Sequence, residues 1–222
     1  MRTRRKHAIS AALLIAAITT PAGAQAIEDI PLPAPRREGG MPLMRALQQR
    51  HSTREFTTEK LPLQTLADLL WAAAGINRPD TSKRTAPSAR NWQEIDVYVV
   101  LAEGAYLYDA LANRLRAAAA GDLREATGAQ DFVAKAPVNL VFVADLSKLA
   151  EVPAEDRTLY TGADAAFISE NVYLFCASEG LGTVVRGSVD RAALAGALGL
   201  PAGKQVILAQ TVGYPAPPTE AR

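Results

Sequence analysis

Residues 138–144 read VNLVFVA and residues 95–102 read IDVYVVLA, two runs with almost nothing polar to offer water. Short runs rich in β-branched and aromatic residues form buried strands rather than helices. Their cover has to come from elsewhere in the chain. Residues 161–179 contain no Pro and no Gly but Gly162, and they place Ala163, Ala166, Phe167, Val172, Leu174 and Ala177 at helical spacings. The pattern predicts one long central helix, stopped by Gly180-Leu181-Gly182.

The other elements are shorter. Pro42 opens a helix with Leu43, Ala46 and Leu47 on one face, ending near Arg50. Leu61-Pro62 opens a second, with Leu63, Leu66, Leu69, Leu70 and Ala73 on one face and Gly75 at its close. A polar loop covers 77–93. Residues 105–109 and 114–118 form a hairpin turning at Ala112-Asn113, and 183–186 a short strand. Asp190 caps a further helix through Leu198, and 205–212 make the last strand before Gly213-Tyr214-Pro215. Strands and helices mix without a βαβ repeat, which predicts an α+β fold with a central, mostly antiparallel sheet flanked by helices.

Two terminal segments stand apart from that domain of 41–216. Residues 1–26 have a basic start, an apolar run over 8–20 and small residues at Ala22, Ala24 and Ala26, the layout of a secretory signal peptide cut after Ala24 or Ala26. Its apolar run is shorter than the roughly 20 residues a membrane span needs. Thr3-Arg4-Arg5 also fits a twin-arginine signal, so both export routes stay open. The mature protein is expected in the periplasm or outside the cell. Residues 27–40, with Pro31, Pro33, Pro35 and Gly39-Gly40, read as an extended lead-in, and 217–222 as a C-terminal tail.

Charge and cysteine usage exclude several functions. The chain carries 24 Lys+Arg against 23 Asp+Glu. Removing the signal takes away four bases and no acid, leaving a net charge of −3. That offers nucleic acid no attractive field. One cysteine, Cys176, and two histidines, His7 and His51, are too few for a His/Cys metal site. Cys176, between Phe175 and Ala177, reads as a small buried apolar residue. Trp71 and Trp92 read as core and loop packing. Gly180-x-Gly182 ends a helix and so is no dinucleotide fingerprint.

The segment Arg50-His51-Ser52-Thr53-Arg54-Glu55-Phe56 carries the chemistry. An extended backbone puts Arg50, Ser52 and Arg54 on one side, and two guanidiniums with a hydroxyl suit a phosphate. On charge pattern alone a solvated basic turn, with Arg54 paired to Glu59 or Asp68, reads better.

Four stretches in order reverse that balance. Arg50-His51-Ser52-Thr53-Arg54-x-Phe56, Pro87-Ser88-Ala89-Arg90-Asn91-Trp92-Gln93, Gly180-Leu181-Gly182-Thr183 with Val185-Arg186-Gly187, and Val212-Gly213-Tyr214-Pro215 together resemble the signatures of the FMN-dependent nitroreductase family. Within it, the 105–118 hairpin with Tyr106 and Tyr108, followed by Gly121-Asp122-Leu123-Arg124, is most similar to the SagB-like dehydrogenase branch. The resemblance implies an FMN-binding homodimer that transfers hydride between flavin and a small organic or peptide-derived substrate. Arg50, Ser52 and Arg54 would bind the phosphate and ribityl chain, with His51 a spacer whose backbone lies by the flavin. Pro87, Ser88 and Asn91 would complete the partner's site, and backbone groups at Val185, Arg186 and Gly187 would lie by the isoalloxazine. No side chain is marked as a catalytic acid. The chain departs from the pattern in having Glu94-Ile95 where Pro-Trp is common, and in having only Arg222 for the basic pair that follows Tyr-Pro in many relatives. Outside the cytoplasm a membrane or periplasmic redox partner, or the substrate itself, would supply electrons in place of NAD(P)H. A non-catalytic exported flavin- or ligand-binding module of the same fold is the alternative.

Overall fold

The computed structural model describes residues 27–217. Residues 1–26, expected to be a signal peptide, and Arg222 lie outside the described residues. Nine strands and four helices are present among them: β1 (Ile30–Pro31), α1 (Leu43–Gln49), α2 (Leu63–Ala74), β2 (Ile76–Arg78), β3 (Lys83–Arg84), β4 (Ile95–Val100), β5 (Gly104–Asp109), β6 (Arg114–Ala120), β7 (Val138–Asp145), α3 (Ala154–Glu179), β8 (Gly182–Arg186), α4 (Arg191–Ala197) and β9 (Lys204–Gly213). Seven of the strands make one sheet in the order β1-β6-β5-β4-β7-β9-β8, every neighbouring pair antiparallel. The expected α+β architecture is the one observed.

The apolar character of β4 and β7 follows from their place. They pair with each other near the middle of the sheet, and alternate residues go to opposite faces. Val97, Val99, Leu140 and Phe142 join a core with Leu66, Leu69 and Leu70 of α2 and Ile168 and Val172 of α3. Tyr98, Val100, Val141 and Val143 join a second core with Leu194 and Leu198 at α4. Two helical layers therefore leave neither face to water.

Three differences from the sequence reading have local causes. Helix α3 begins at Ala154 rather than near Thr161, because Pro153 is its N-cap and Glu155 and Asp156 occupy its first turn. That turn is exposed and carries no apolar periodicity to reveal it. The lead-in is not wholly without structure: Ile30 and Pro31 pair with Leu115 and Arg114, and Arg36 grips the nearly buried carboxylate of Asp68 through its backbone N–H at 2.7 Å and its Nε at 2.8 Å. The small hairpin β2–β3, running from Ile76 to Arg84, takes up the first half of the expected 77–93 loop. Gly180 ends α3 at φ +70°, a left-handed position where a Cβ is costly.

Helix α1 buries only Ala46; Leu43 and Leu47, expected on an inward face, are 61% and 46% exposed. Together with Met44, Leu63 of α2, and Leu159 and Phe167 of α3, they leave large apolar side chains uncovered on this chain's helices.

Candidate functional site

Residues 50–57 run in extended form between two edges. Thr53 N–H donates to the Thr183 carbonyl on the open edge of β8 at 2.9 Å. Further on, Thr57 N–H donates to the Tyr214 carbonyl and Ala216 N–H to the Glu55 carbonyl, both at 2.9 Å, and Phe56 bridges Pro215. The first, third and fourth sequence signatures therefore meet at one place. Glycines permit the approach: a Cβ on Gly182 would lie 2.8 Å from the Thr53 side chain, and one on Gly213 would lie 2.7 Å from Pro137.

Tyr173 of α3, 6% exposed, stands at the junction. Its hydroxyl lies 2.9 Å from Ser52 Oγ and accepts from Val185 N–H at 3.0 Å. The Arg50 guanidinium lies over its ring, 5.2 Å from the centroid. Arg50 and Ser52 are thus brought together, while Arg54 is exposed with no contact tying it to them. The pairing of Arg54 with Glu59 or Asp68 does not occur, since Asp68 is held by Arg36. Among the described residues neither Arg50 nor Arg54 meets a carboxylate. His51 is exposed, its Nδ1 bonded to the Gln49 carbonyl at 2.8 Å.

At the end of β8, Arg186 turns its side chain inward. The guanidinium donates to the Thr127 carbonyl at 2.6 Å, to Asn139 Oδ1 at 3.1 Å and to Thr211 Oγ1 at 2.9 Å, leaving Nε without a partner. Burial lowers its pKa to about 10. Only its backbone remains for a ligand at β8, as the sequence reading has it for all three residues there. The Val185 N–H, however, is already taken by Tyr173. Gly187 is exposed, and a Cβ there would meet nothing closer than Leu208 at 3.9 Å. Nothing in the chain itself requires a glycine at this point, so the space beside it is open to a ligand. Cys176 is buried, and burial pushes its thiol far up, which suits a packing residue and not a nucleophile.

The 87–93 loop is elsewhere. Ala89 N–H donates to Asp164 Oδ2 at 2.9 Å. Asp164 and Tyr173 are nine residues apart on α3, about 13 Å at the helical rise of roughly 1.5 Å per residue. Ser88 Oγ accepts from Gln93 N–H at 3.0 Å, and Asn91 Oδ1 from Gln93 Nε2 at 3.1 Å. Pro87 and Asn91 are exposed. Arg90, Asn91 and Gln93 have φ of +48°, +58° and +49°, a strained set for non-glycine residues. Lys148 and Arg84 hold the loop in it by donating to Gln93 O and Oε1.

Beneath the loop lies a pair the sequence reading missed as a pair. Glu94 is fully buried beside Asp164, which is 2% exposed. With both ionised, neither oxygen of Glu94 has a partner; with one proton between them each serves the other. Burial first, and then the neighbouring Asp164, raises the Glu94 pKa to about 7.

The donors present fit a phosphorylated ligand: the Arg50 guanidinium, which meets no carboxylate among the described residues, the Ser52 hydroxyl beside it, and an open backbone at Gly187, with Arg54 exposed nearby in sequence. The cavity beside it, lined by Gln49, His51, Tyr173, Thr183 and Pro215, holds only about 160 Å³, less than the roughly 300–1,000 Å³ of a ligand pocket. A larger cavity of about 580 Å³ lies against the opposite face of α3, by Asn171, Phe175 and Ser178, with its Arg36 already committed to Asp68.

The profile of the nitroreductase family matches residues 47–214. A nitroreductase-like protein of Methanocaldococcus jannaschii is 30% identical over 152 residues, 64% of this chain and 76% of the relative. The crystal structure of a nitroreductase-like protein from Ralstonia eutropha has a TM-score of 0.83 at 47% identity, covering 89% of this chain and 94% of that one. The NADPH:FMN oxidoreductase of Vibrio harveyi, solved with NAD+, has a TM-score of 0.58 at 21% identity, covering 81% of this chain and 72% of that one, a likeness of fold.

Proposed function

Because the chain belongs to the nitroreductase family, and is an oxidoreductase of that family, we propose that it is an exported, FMN-dependent enzyme of the SagB-like dehydrogenase branch, working as a homodimer. The observation that carries the reading is the junction of residues 50–57 with β8 and the closing 213–216 stretch, which brings Arg50 and Ser52 together at Tyr173, beside the strand that ends just before the open Gly187. Bound FMN would supply the hydride chemistry. Arg50, Ser52 and Arg54 would hold its phosphate and ribityl chain, and the backbone at Arg186 and Gly187 would face its ring system.

The homodimer is supported by two features. The 87–93 loop stands one helix segment away from the arginine cluster of its own chain, where it would be placed to complete a neighbour's site. The uncovered apolar side chains of α1, α2 and α3 offer a second copy a surface. The hairpin β5–β6 and the Gly121-Asp122-Leu123-Arg124 turn favour the SagB-like branch, and the substrate in this reading is a small organic or peptide-derived molecule. In this reading residues 1–26 are a removed signal, 41–216 the FMN-binding domain and 217–222 a tail.

Export would place the enzyme where no pool of reduced nicotinamide is expected. Electrons would then enter from a membrane or periplasmic redox partner or from the substrate. Mass spectrometry of cofactor released from purified protein is expected to give FMN; FAD, or no flavin after reconstitution, refutes the reading. Reduction by NADH or NADPH at ordinary turnover rates of about 10 per second, with the protein in the cytoplasmic fraction, refutes export and the proposed electron source.

A further inference from the structure

We infer that Tyr173 is the positioning residue that gives the site its preference for a phosphorylated ligand, an inference that rests on the FMN reading above. Three groups from three stretches of chain meet on this one side chain: Arg50 over its ring at 5.2 Å, Ser52 at 2.9 Å and the Val185 N–H at 3.0 Å from its hydroxyl.

The direction of the hydrogen bonds follows from counting donors. Val185 sits on the open edge of β8, the edge whose Thr183 carbonyl receives Thr53, so its N–H has no partner in β9 and the tyrosine oxygen takes it. That oxygen carries one proton of its own. Among the described residues Ser52 Oγ is the acceptor within reach of it. The arrangement that leaves no buried donor unpaired therefore runs from Val185 N–H to Tyr173 and from Tyr173 to Ser52. Ser52 then has one of its two lone pairs engaged on the protein side, which leaves its own proton to turn outward.

The consequence is chemical selectivity. A phosphate monoester presents acceptors and, once doubly ionised, no donor. A serine fixed as an outward donor matches it, and a chain of hydrogen bonds feeding that donor strengthens it. A freely rotating serine could equally satisfy itself on water or on an uncharged hydroxyl. Arg50, placed over the same ring at 5.2 Å from its centroid, adds its charge. Helix α3, 26 residues long, supplies the rigidity on which this depends.

The experiment is equilibrium titration of FMN and of riboflavin, read by flavin fluorescence, on the full-length protein and on Tyr173→Phe, Ser52→Ala and the double variant. Tyr173→Phe keeps the ring under Arg50 and removes only the oxygen. FMN affinity is expected to fall about tenfold, the upper scale of a net hydrogen bond lost from the chain that orients Ser52, while riboflavin affinity stays within about twofold on the same basis. In the Ser52→Ala background the same change is expected to cost FMN less than about twofold, because the two act in series. Equal losses for both flavins, an unchanged FMN affinity, or full additivity would overturn the inference and leave the FMN reading standing. A parent protein that binds neither flavin removes both, and the parent titration alone reveals it. Should Tyr173→Phe not fold, Ser52→Ala alone carries the test: a folded Ser52→Ala variant that keeps the parent's preference for FMN over riboflavin overturns the inference.

Discussion

Glu94→Gln is expected to change the pH dependence of stability. Glu94 is fully buried at the start of β4, its carboxyl against that of Asp164 and its pKa raised from 4.5 to about 7. A group whose pKa is higher in the fold than in the unfolded chain favours folding when protonated. Its contribution is complete below about pH 4.5 and is lost as pH rises through 7. The difference between those two values is worth about 3 kcal/mol at roughly 1.4 kcal/mol per pH unit, and because the proton is shared, the figure belongs to the Glu94–Asp164 pair. Glutamine keeps the shape, cannot ionise, and can donate its amide N–H to Asp164. The variant should therefore match the parent near pH 5 and exceed it by up to about 3 kcal/mol at pH 8, which for a domain of this size is a rise in Tm of about 6–12 °C. Glu103, Asp122 and Asp145, whose pKa values are lowered by hydrogen bonds from Lys60, Arg124 and Ser147, act in the opposite direction at acid pH, and they cancel in the comparison. Urea denaturation at pH 5, 6, 7 and 8 measures the difference. A stability gap that does not change with pH would refute the shared proton.

Gly182→Ala and Gly187→Ala should separate fold from ligand: the first drives a methyl into Thr53 and is expected to cost about 1–3 kcal/mol of stability, whereas the second meets open space and should leave Tm within about 2 °C while weakening FMN binding in a titration. Arg50→Ala and Arg54→Ala should each weaken FMN retention by about 1.5–3 kcal/mol with the fold intact; unchanged affinity in both would make the segment a solvated turn. Phe167→Glu places a charge on the 47% exposed phenyl of α3 and is expected to convert a dimer to monomer in light scattering, with loss of bound flavin; a flavin-loaded monomer would refute the shared site.

Much of this could be read from residues alone, because it depends on neighbours in sequence. Strands β4 and β7 announce their burial in the composition of six and eight consecutive residues, and Gly180 announces the end of α3 because only a residue without a Cβ adopts φ +70° cheaply. The order of four short signatures along the chain sufficed to indicate the family, and three of them meet beside β8. What periodicity could not reveal is any partnership across long separations. Ser52 and Tyr173 are 121 residues apart, and in the helical pattern Tyr173 is one more residue between Val172 and Leu174. Glu94 reads as a departure from a motif until α3 lays Asp164 against it. The inward turn of Arg186 depends on Thr127, Asn139 and Thr211, each from a different stretch. A local pattern reports which face of an element avoids water; which element arrives to cover that face, and with which polar atom, is decided only when β9 enters between β7 and β8 and the sheet closes on the long helix.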